Sequence, residues 1–122
     1  MKILVIDDFA TMRRIVRNLL NQIGFTEVEE ASDGVAALQK LRENKFGLVI
    51  SDWNMEPISG LQLLKEIRTD AKLRDTPFIM VMAESKKTED VIAAKTAGVN
   101  NYIVKPFNAD TLKQKIQSVL GS

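Results

Sequence analysis

The alternation of short apolar runs with longer segments of helical periodicity is the feature that most constrains the fold of this chain. Unbroken apolar runs lie at residues 3–6, 48–50, 78–82 and 102–104, and a weaker run lies at about 27–30. After the first run, apolar side chains recur at helical spacing at Met12, Ile15, Val16, Leu19, Leu20 and Ile23. Apolar strands that alternate with helices are typical of a parallel sheet covered on both faces. The sequence therefore predicts an α/β fold built from five strand–helix repeats.

Polar and small residues mark the ends of the predicted helices. The second helix is expected at about 34–43, with Val35 among its inward-facing side chains. Ser85 is predicted to cap the amino end of a fourth helix that runs to Ala97, and Asn108 is predicted to cap the fifth.

Two other groups of polar residues receive ordinary structural interpretations. Arg13, Arg14 and Arg17 lie on the side of the first helix away from its apolar stripe, and they are predicted to form a solvated face. Residues 32–34 resemble a turn, and no site is assigned to them.

Composition excludes several classes of function. The chain has no Cys and no His, which excludes Ser–His and Cys–His catalysis, imidazole or thiolate metal ligation, and a role as a phosphohistidine carrier. Seventeen basic against 16 acidic residues give no electrostatic reason to expect nucleic acid or an anionic membrane as a partner. With 122 residues, no membrane-length apolar stretch and no signal peptide, we expect one cytoplasmic domain.

Charged residues follow the strong strands at the points where those strands end. Asp7 and Asp8 follow the first strand, Asp52 the third, and Lys105 the fifth. In parallel sheets these carboxyl ends form one edge, and that edge is where ligands bind. Clustered acids with neither His nor Cys suit Mg²⁺, and Lys105 suits a phosphoryl or carboxylate group. Taken singly, each residue has an ordinary explanation as a helix-start acid, a turn residue or a solvated lysine. The prediction of a site depends on all of them lying at one edge.

These residues resemble the receiver domains of two-component response regulators, and the resemblance spans the whole chain. It rests on Asp7-Asp8, Asp52, Gly60 and Lys105-Pro106-Phe107. Segments 7–20, 51–55 and 83–87 are similar almost residue for residue to the chemotaxis members of that family. The resemblance implies that residues 1–122 form a single receiver domain with a flavodoxin-like sheet of strand order 2-1-3-4-5.

The resemblance also implies a chemical role for each residue at the strand ends. Asp52 is expected to accept a phosphoryl group from the phosphohistidine of a sensor histidine kinase. Mg²⁺ is expected to be bound by Asp8, by Asp52 and by the backbone carbonyl of Asn54, with Asp7 acting through a water molecule. Lys105 is expected to pair with the phosphoryl oxygens. Output is expected through a protein partner, such as the flagellar motor switch, on the surface formed by residues 86–120.

Two positions depart from the family's pattern. Pro57 lies one place later in the acceptor loop than the family's proline, so the shape of that loop is expected to differ. Met82 stands where the family has Thr or Ser, whose hydroxyl bonds to the phosphoryl group and lets the aromatic residue, here Tyr102, turn inward. A thioether has no proton to donate, so the Met82–Tyr102 switch is predicted to be weakened or altered. The alternative is that Met82 is a tolerated gap filler.

Three alternative functions remain open from the sequence. A phosphate sink or relay receiver would keep Asp52 and the altered switch. A Mg²⁺-dependent phosphohydrolase would also use Asp52, but such enzymes usually need an insertion to enclose the substrate, and no segment of this chain is long enough to form one. The last is a binding module on the same fold that works without phosphorylation.

Overall fold

Strands and helices alternate along the whole of the described chain, which covers residues 1–121 of this computed structural model. The elements are β1 (Ile3–Ile6), α1 (Ala10–Gln22), β2 (Val28–Ala31), α2 (Gly34–Glu43), β3 (Leu48–Asp52), α3 (Gly60–Thr69), β4 (Phe78–Met82), α4 (Thr88–Thr96), β5 (Asn101–Val104) and α5 (Ala109–Leu120). The strands form one parallel sheet in the order β2-β1-β3-β4-β5. The predicted α/β fold and its strand order are confirmed.

Each face of the sheet carries its own hydrophobic layer. Side chains such as Val5 and Ile50 pack against α1 and α5. The alternate side chains, such as Leu4 and Val49, pack against α2, α3 and α4. Because helices cover both faces, β1, β3 and β4 are buried at every position, which is why they are apolar without alternation.

The register of the sheet aligns the carboxyl ends of the strands. Ile6 pairs with Ser51 across β1 and β3, and Met82 pairs with Val104 across β4 and β5. Asp52 is itself the last residue of β3. The residues that follow these strands therefore emerge at one edge of the molecule, which we call the carboxyl edge.

Helix α2 differs from its prediction in the side chain that faces inward. Val35 is 56% exposed, whereas Ala37 is fully buried, so the inward prediction for Val35 is wrong. The buried stripe of α2 consists of Gly34, Ala37, Leu38 and Leu41, and this i, i+3, i+4, i+7 spacing leaves Val35 outside it. Asp33 is the N-cap of α2 and more than a turn residue, since its carboxylate accepts a hydrogen bond from the Ala36 N–H at 2.8 Å.

Helix α4 begins later than predicted, because Ser85 does not cap it. The helix starts at Thr88, and Asp90 accepts a hydrogen bond from the Lys87 N–H at 3.1 Å. The predicted cap of α5 is confirmed, since Asn108 Oδ1 accepts from the Thr111 N–H at 2.9 Å. Within residues 1–121, no helix has the length and apolar character needed to span a bilayer.

Candidate functional site

Three carboxylates meet at the carboxyl edge. One oxygen from each of Asp7, Asp8 and Asp52 lies within 4.8 Å of the others. Asp7 and Asp52 are each only 4% exposed, whereas Asp8 is exposed to solvent. The sheet register thus brings together the acids that the sequence placed at separate strand ends. Two of the acids are removed from water, and Asp8 opens the cluster to solvent.

Lys105 lies directly beside the buried Asp52. Its Nζ is 3.1 Å from Asp52 Oδ1, and its side chain is 30% exposed. The backbone N–H of Lys105 donates to the carbonyl of Met82 at 2.9 Å, which extends the β4–β5 pairing beyond the strand end. Lys105 therefore supplies a positive charge that contacts Asp52 and also reaches solvent.

The burial of Asp7 changes its acidity. Its pKa is raised from 3.8 to about 6, chiefly by burial and further by the charges of Asp52 and Asp8. A hydrogen bond from the Phe9 N–H, 2.9 Å from Asp7 Oδ1, and the charge of Lys105 act in the opposite direction. A cation among these oxygens would relieve the repulsion, and an all-oxygen donor set fits Mg²⁺. The residues present therefore fit a magnesium site.

The loop after β3 forms the open side of the cluster. Asp8, Phe9, Asn54, Met55 and Glu56 line a solvent-open cavity of about 370 Å³. Asn54 is exposed and lines this cavity together with Asp8. The cavity leaves the exposed Asp8 open to solvent.

Gly60 fixes the return of that loop into α3. Its N–H donates to the Trp53 carbonyl at 2.9 Å. A Cβ at Gly60 would lie 2.2 Å from the Asp52 carbonyl oxygen and 2.9 Å from Met80 Sδ. Only glycine fits this approach without displacing the backbone of Asp52, which explains why the sequence carries glycine here.

The arginines of α1 do not all form the predicted solvated face. Arg13 Nη1 donates to the Asp7 carbonyl oxygen at 2.7 Å, and Arg13 Nε donates to Glu30 Oε1 at 3.0 Å. Arg17 Nη1 lies 2.9 Å from Glu30 Oε2. The prediction holds for Arg14, which is exposed, and is wrong for Arg13, whose side chain is 17% exposed, because β2 places Glu30 beside it. Arg17 is paired with Glu30 while its side chain stays 42% exposed.

Comparison with known protein families assigns the chain to a family. The model of the response regulator receiver domain matches residues 3–117. The chain belongs to the response regulator receiver family. The receiver is also similar to named chemotaxis proteins, which accords with the resemblance of segments 7–20, 51–55 and 83–87.

Two curated relatives and two solved structures illustrate that similarity. The chain is 52% identical to chemotaxis protein CheY-3 of Vibrio cholerae over 119 residues, covering 98% of this chain and 91% of the relative. It is 49% identical to chemotaxis protein CheY of Pseudomonas aeruginosa, covering 98% and 95%. The structure of Vibrio cholerae CheY4 crystallised at low pH superposes with a TM-score of 0.88 at 35% identity, covering 97% of each chain. A putative response regulator from Chloroflexus aurantiacus gives a TM-score of 0.92 at 29% identity, covering 99% of this chain and 98% of that one.

The predicted switch pair of the receiver lies on the face of the sheet covered by α2, α3 and α4. Met82 is 1% exposed and belongs to the hydrophobic layer on that face. Tyr102 is half-buried against the same layer, and Lys115 Nζ lies 5.2 Å from the centre of its ring. The register pairs Met80 with Tyr102 and Met82 with Val104, so Met82 and Tyr102 are diagonal neighbours.

A contact between Lys86 and Trp53 links the two loops beside the receiver's acids. Lys86 Nζ lies 4.6 Å from the centre of the Trp53 ring, and Trp53 is 9% exposed. Lys86 belongs to the loop after β4, whereas Trp53 directly follows Asp52. No sequence pattern signals this contact, because a cation–π pair between distant residues depends on how the loops fold.

Proposed function

We propose that this receiver accepts a phosphoryl group on Asp52 from the phosphohistidine of a sensor histidine kinase and then signals by binding a protein in chemotaxis. The observation that carries the proposal is the position of Asp52, which is buried, 3.1 Å from Lys105, and grouped with two other acids. The family assignment and the chemotaxis relatives support the same role.

The chemistry follows from the groups around Asp52. A carboxylate oxygen of Asp52 attacks phosphorus, and the bond between phosphorus and the donor's histidine nitrogen breaks, which leaves an acyl phosphate and a histidine that takes up a proton. Lys105 pairs with the phosphoryl oxygens and offsets their charge. Mg²⁺, when bound, supplies the positive charge that lets one anion approach another. In our proposal Asp8, Asp52 and the Asn54 carbonyl would hold the ion, and Asp7 would act through a water molecule.

The second part of the proposal concerns the partner proteins, the cellular location and the extent of the domain. The chain has no His, so the phosphohistidine of the proposed donor lies outside these 122 residues. We place the output surface on residues 86–120, with the flagellar motor switch as the proposed partner class. We further propose a cytoplasmic protein whose residues 1–122 form one receiver domain. As a receiver, it is a signalling protein rather than an enzyme that turns over metabolites.

Labelling with a small phosphodonor tests the acceptor. With acetyl phosphate and Mg²⁺, peptide mass spectrometry should locate a hydroxylamine-labile phosphoryl group on Asp52. Asp52→Asn should abolish that label, whereas Asp75→Asn should keep it, because Asp75 is an exposed acid near the amino end of β4. Removing Mg²⁺ should also abolish the label. An equal label on Asp52→Asn would overturn the assignment.

The phosphate sink is the second candidate, and the buried Met82 is the observation that favours it. Such a receiver would take phosphate on Asp52 but change its surface little, since Met82 has no proton to donate to the phosphoryl group. Failure of phosphorylation to raise affinity for any protein on the surface of residues 86–120 would support the sink.

A further inference from the structure

A basic residue, Arg13, contacts the backbone of the acid cluster and has no role in the proposed chemistry. Arg13 lies in the first turn of α1, and its side chain is only 17% exposed. Its guanidinium donates from Nη1 to the Asp7 carbonyl oxygen at 2.7 Å and from Nε to Glu30 at 3.0 Å. One side chain thus joins the end of β1 to β2.

Glu30 supports this guanidinium from the neighbouring strand. It lies in β2 and pairs with Val5 of β1, so the sheet fixes its backbone. Arg17 occupies its second carboxylate oxygen at 2.9 Å. Arg13 is therefore held from one side by a carboxylate that Arg17 also contacts, and a planar guanidinium held in that way presents its remaining donors in a set direction.

The group that Arg13 holds is the peptide unit between Asp7 and Asp8. The carbonyl of Asp7 and the N–H of Asp8 lie in one plane, so a hydrogen bond to that carbonyl restricts the rotation of both residues. On its other side, the Asp7 N–H donates to the Ala31 carbonyl at 3.2 Å. Asp7 is thus fixed at both of its backbone groups, whereas Asp8 is the exposed acid and has the most freedom to lose.

We propose that Arg13 is a positioning residue that orients the Asp7–Asp8 peptide, so that the Asp8 carboxylate is preorganised for a divalent cation. This inference rests on the proposed function of the acid cluster. It adds a residue that does not itself touch the cation or the phosphoryl group. Groups that orient the ligands of a metal typically contribute about 10- to 100-fold in metal affinity.

The sign of the effect separates positioning from plain electrostatics. Removing a positive charge near a cation site strengthens cation binding by Coulomb's law. Loss of the positioning contact weakens cation binding instead. Arg14 is the matched control, because it is the next residue on the same helix, carries the same charge and is exposed.

The experiment is a Mg²⁺ titration followed by Trp53 fluorescence in the parent and in Arg13→Ala, Arg13→Lys and Arg14→Ala. We expect Arg13→Ala to bind Mg²⁺ about ten-fold more weakly. Arg13→Lys should be intermediate, since an ammonium cannot serve both acceptors with a fixed fork. Arg14→Ala should match or slightly exceed the parent. Urea unfolding of each variant checks that affinity, and not only stability, has changed.

A spectroscopic signature completes the test. The ¹⁵N–¹H resonance of Asp8 should shift in metal-free Arg13→Lys and stay in place in Arg14→Ala, because only the former alters the hydrogen bond to the preceding carbonyl. Equal affinities and equal Asp8 shifts in the Arg13 and Arg14 variants would overturn the inference while leaving the proposed function intact. A parent protein that bound no Mg²⁺ would overturn both.

Discussion

At the scale of single residues, the buried acids of the site lower the stability of the folded protein. Asp7 and Asp52 are buried although both carry ionisable carboxylates, and Lys105 contacts only one of them. A carboxylate without a charged partner is costly to bury, and the raised pKa of Asp7 reflects that cost. Such strain is expected where binding of a cation or phosphoryl group offsets it.

The first prediction concerns the pH dependence of metal-free stability. The folded pKa of Asp7 is about 6, above its ordinary 3.8, so the folded state binds this proton more tightly than the unfolded state does. Its contribution to stability is therefore complete below about pH 4 and is lost as the pH rises through about 6. Asp7→Asn should remove that loss and raise the unfolding free energy at pH 7.5 by up to about 3 kcal/mol.

Urea unfolding at pH 4 to 8 in the presence of EDTA measures the effect. Glu56→Gln is the control for losing one negative charge, because Glu56 is exposed on the neighbouring cavity wall. A constant difference between Asp7→Asn and the parent across this pH range would contradict the assignment to Asp7.

At the scale of elements, the junction between β3 and α3 fixes where Asp52 is presented. The N–H of Trp53 donates to the Val81 carbonyl at 3.0 Å, and the N–H of Gly60 donates to the Trp53 carbonyl at 2.9 Å. Ser59 caps α3 by accepting from the Gln62 N–H at 3.1 Å. The loop that contains Asn54 is thus closed at both ends by backbone contacts.

The second prediction tests that closure through Gly60. In Gly60→Ala the new methyl group would displace the carbonyl of Asp52, so we expect a loss of about 1–3 kcal/mol in unfolding free energy together with slower phosphorylation. Gly47→Ala is the control, since its methyl would meet only the flexible Met1 side chain. Urea unfolding and the rate of labelling by acetyl phosphate measure the two effects. Equal stability of the two variants would show that the junction can relax.

At the scale of the whole molecule, the proposed function requires phosphorylation of Asp52 to alter the proposed output surface of residues 86–120. Met82 lies between these regions, at the end of β4 and beside Val104 of β5. A charge-assisted hydrogen bond contributes about 1.5–3 kcal/mol. Met82 cannot donate such a bond, and by the family resemblance its absence corresponds to roughly ten- to over a hundred-fold in the proposed equilibrium between inactive and active states.

The third prediction is that Met82→Thr enlarges the response to phosphorylation. Amide NMR shifts of residues 83–107, recorded with and without a beryllofluoride phosphoryl mimic, should change more in Met82→Thr than in the parent. Met82→Val is the matched control, because valine has the shape of threonine without its hydroxyl. Equal responses of the Thr and Val variants would identify Met82 as a space filler and assign the switch to another contact.

The sequence by itself determined the α/β alternation, the carboxyl edge and the grouping of Asp7, Asp8, Asp52 and Lys105. It could do so because strand ends are marked by the change from apolar to charged residues, and parallel strands place those ends together. The functional roles of these residues stay predictions, supported by the family assignment.

Only the tertiary structure decided the contacts that join distant segments. Two such contacts are those of Arg13 with Glu30 and of Lys86 with Trp53. The sequence pattern predicted that Arg13 would be solvated. The same holds for the inward face of α2, where Ala37 is the buried residue and Val35 is exposed. Periodicity shows which side of a helix or strand is apolar. It does not encode the register, rotation and loop geometry that place two polar groups within hydrogen-bonding distance, because those are set by the packing of the whole domain.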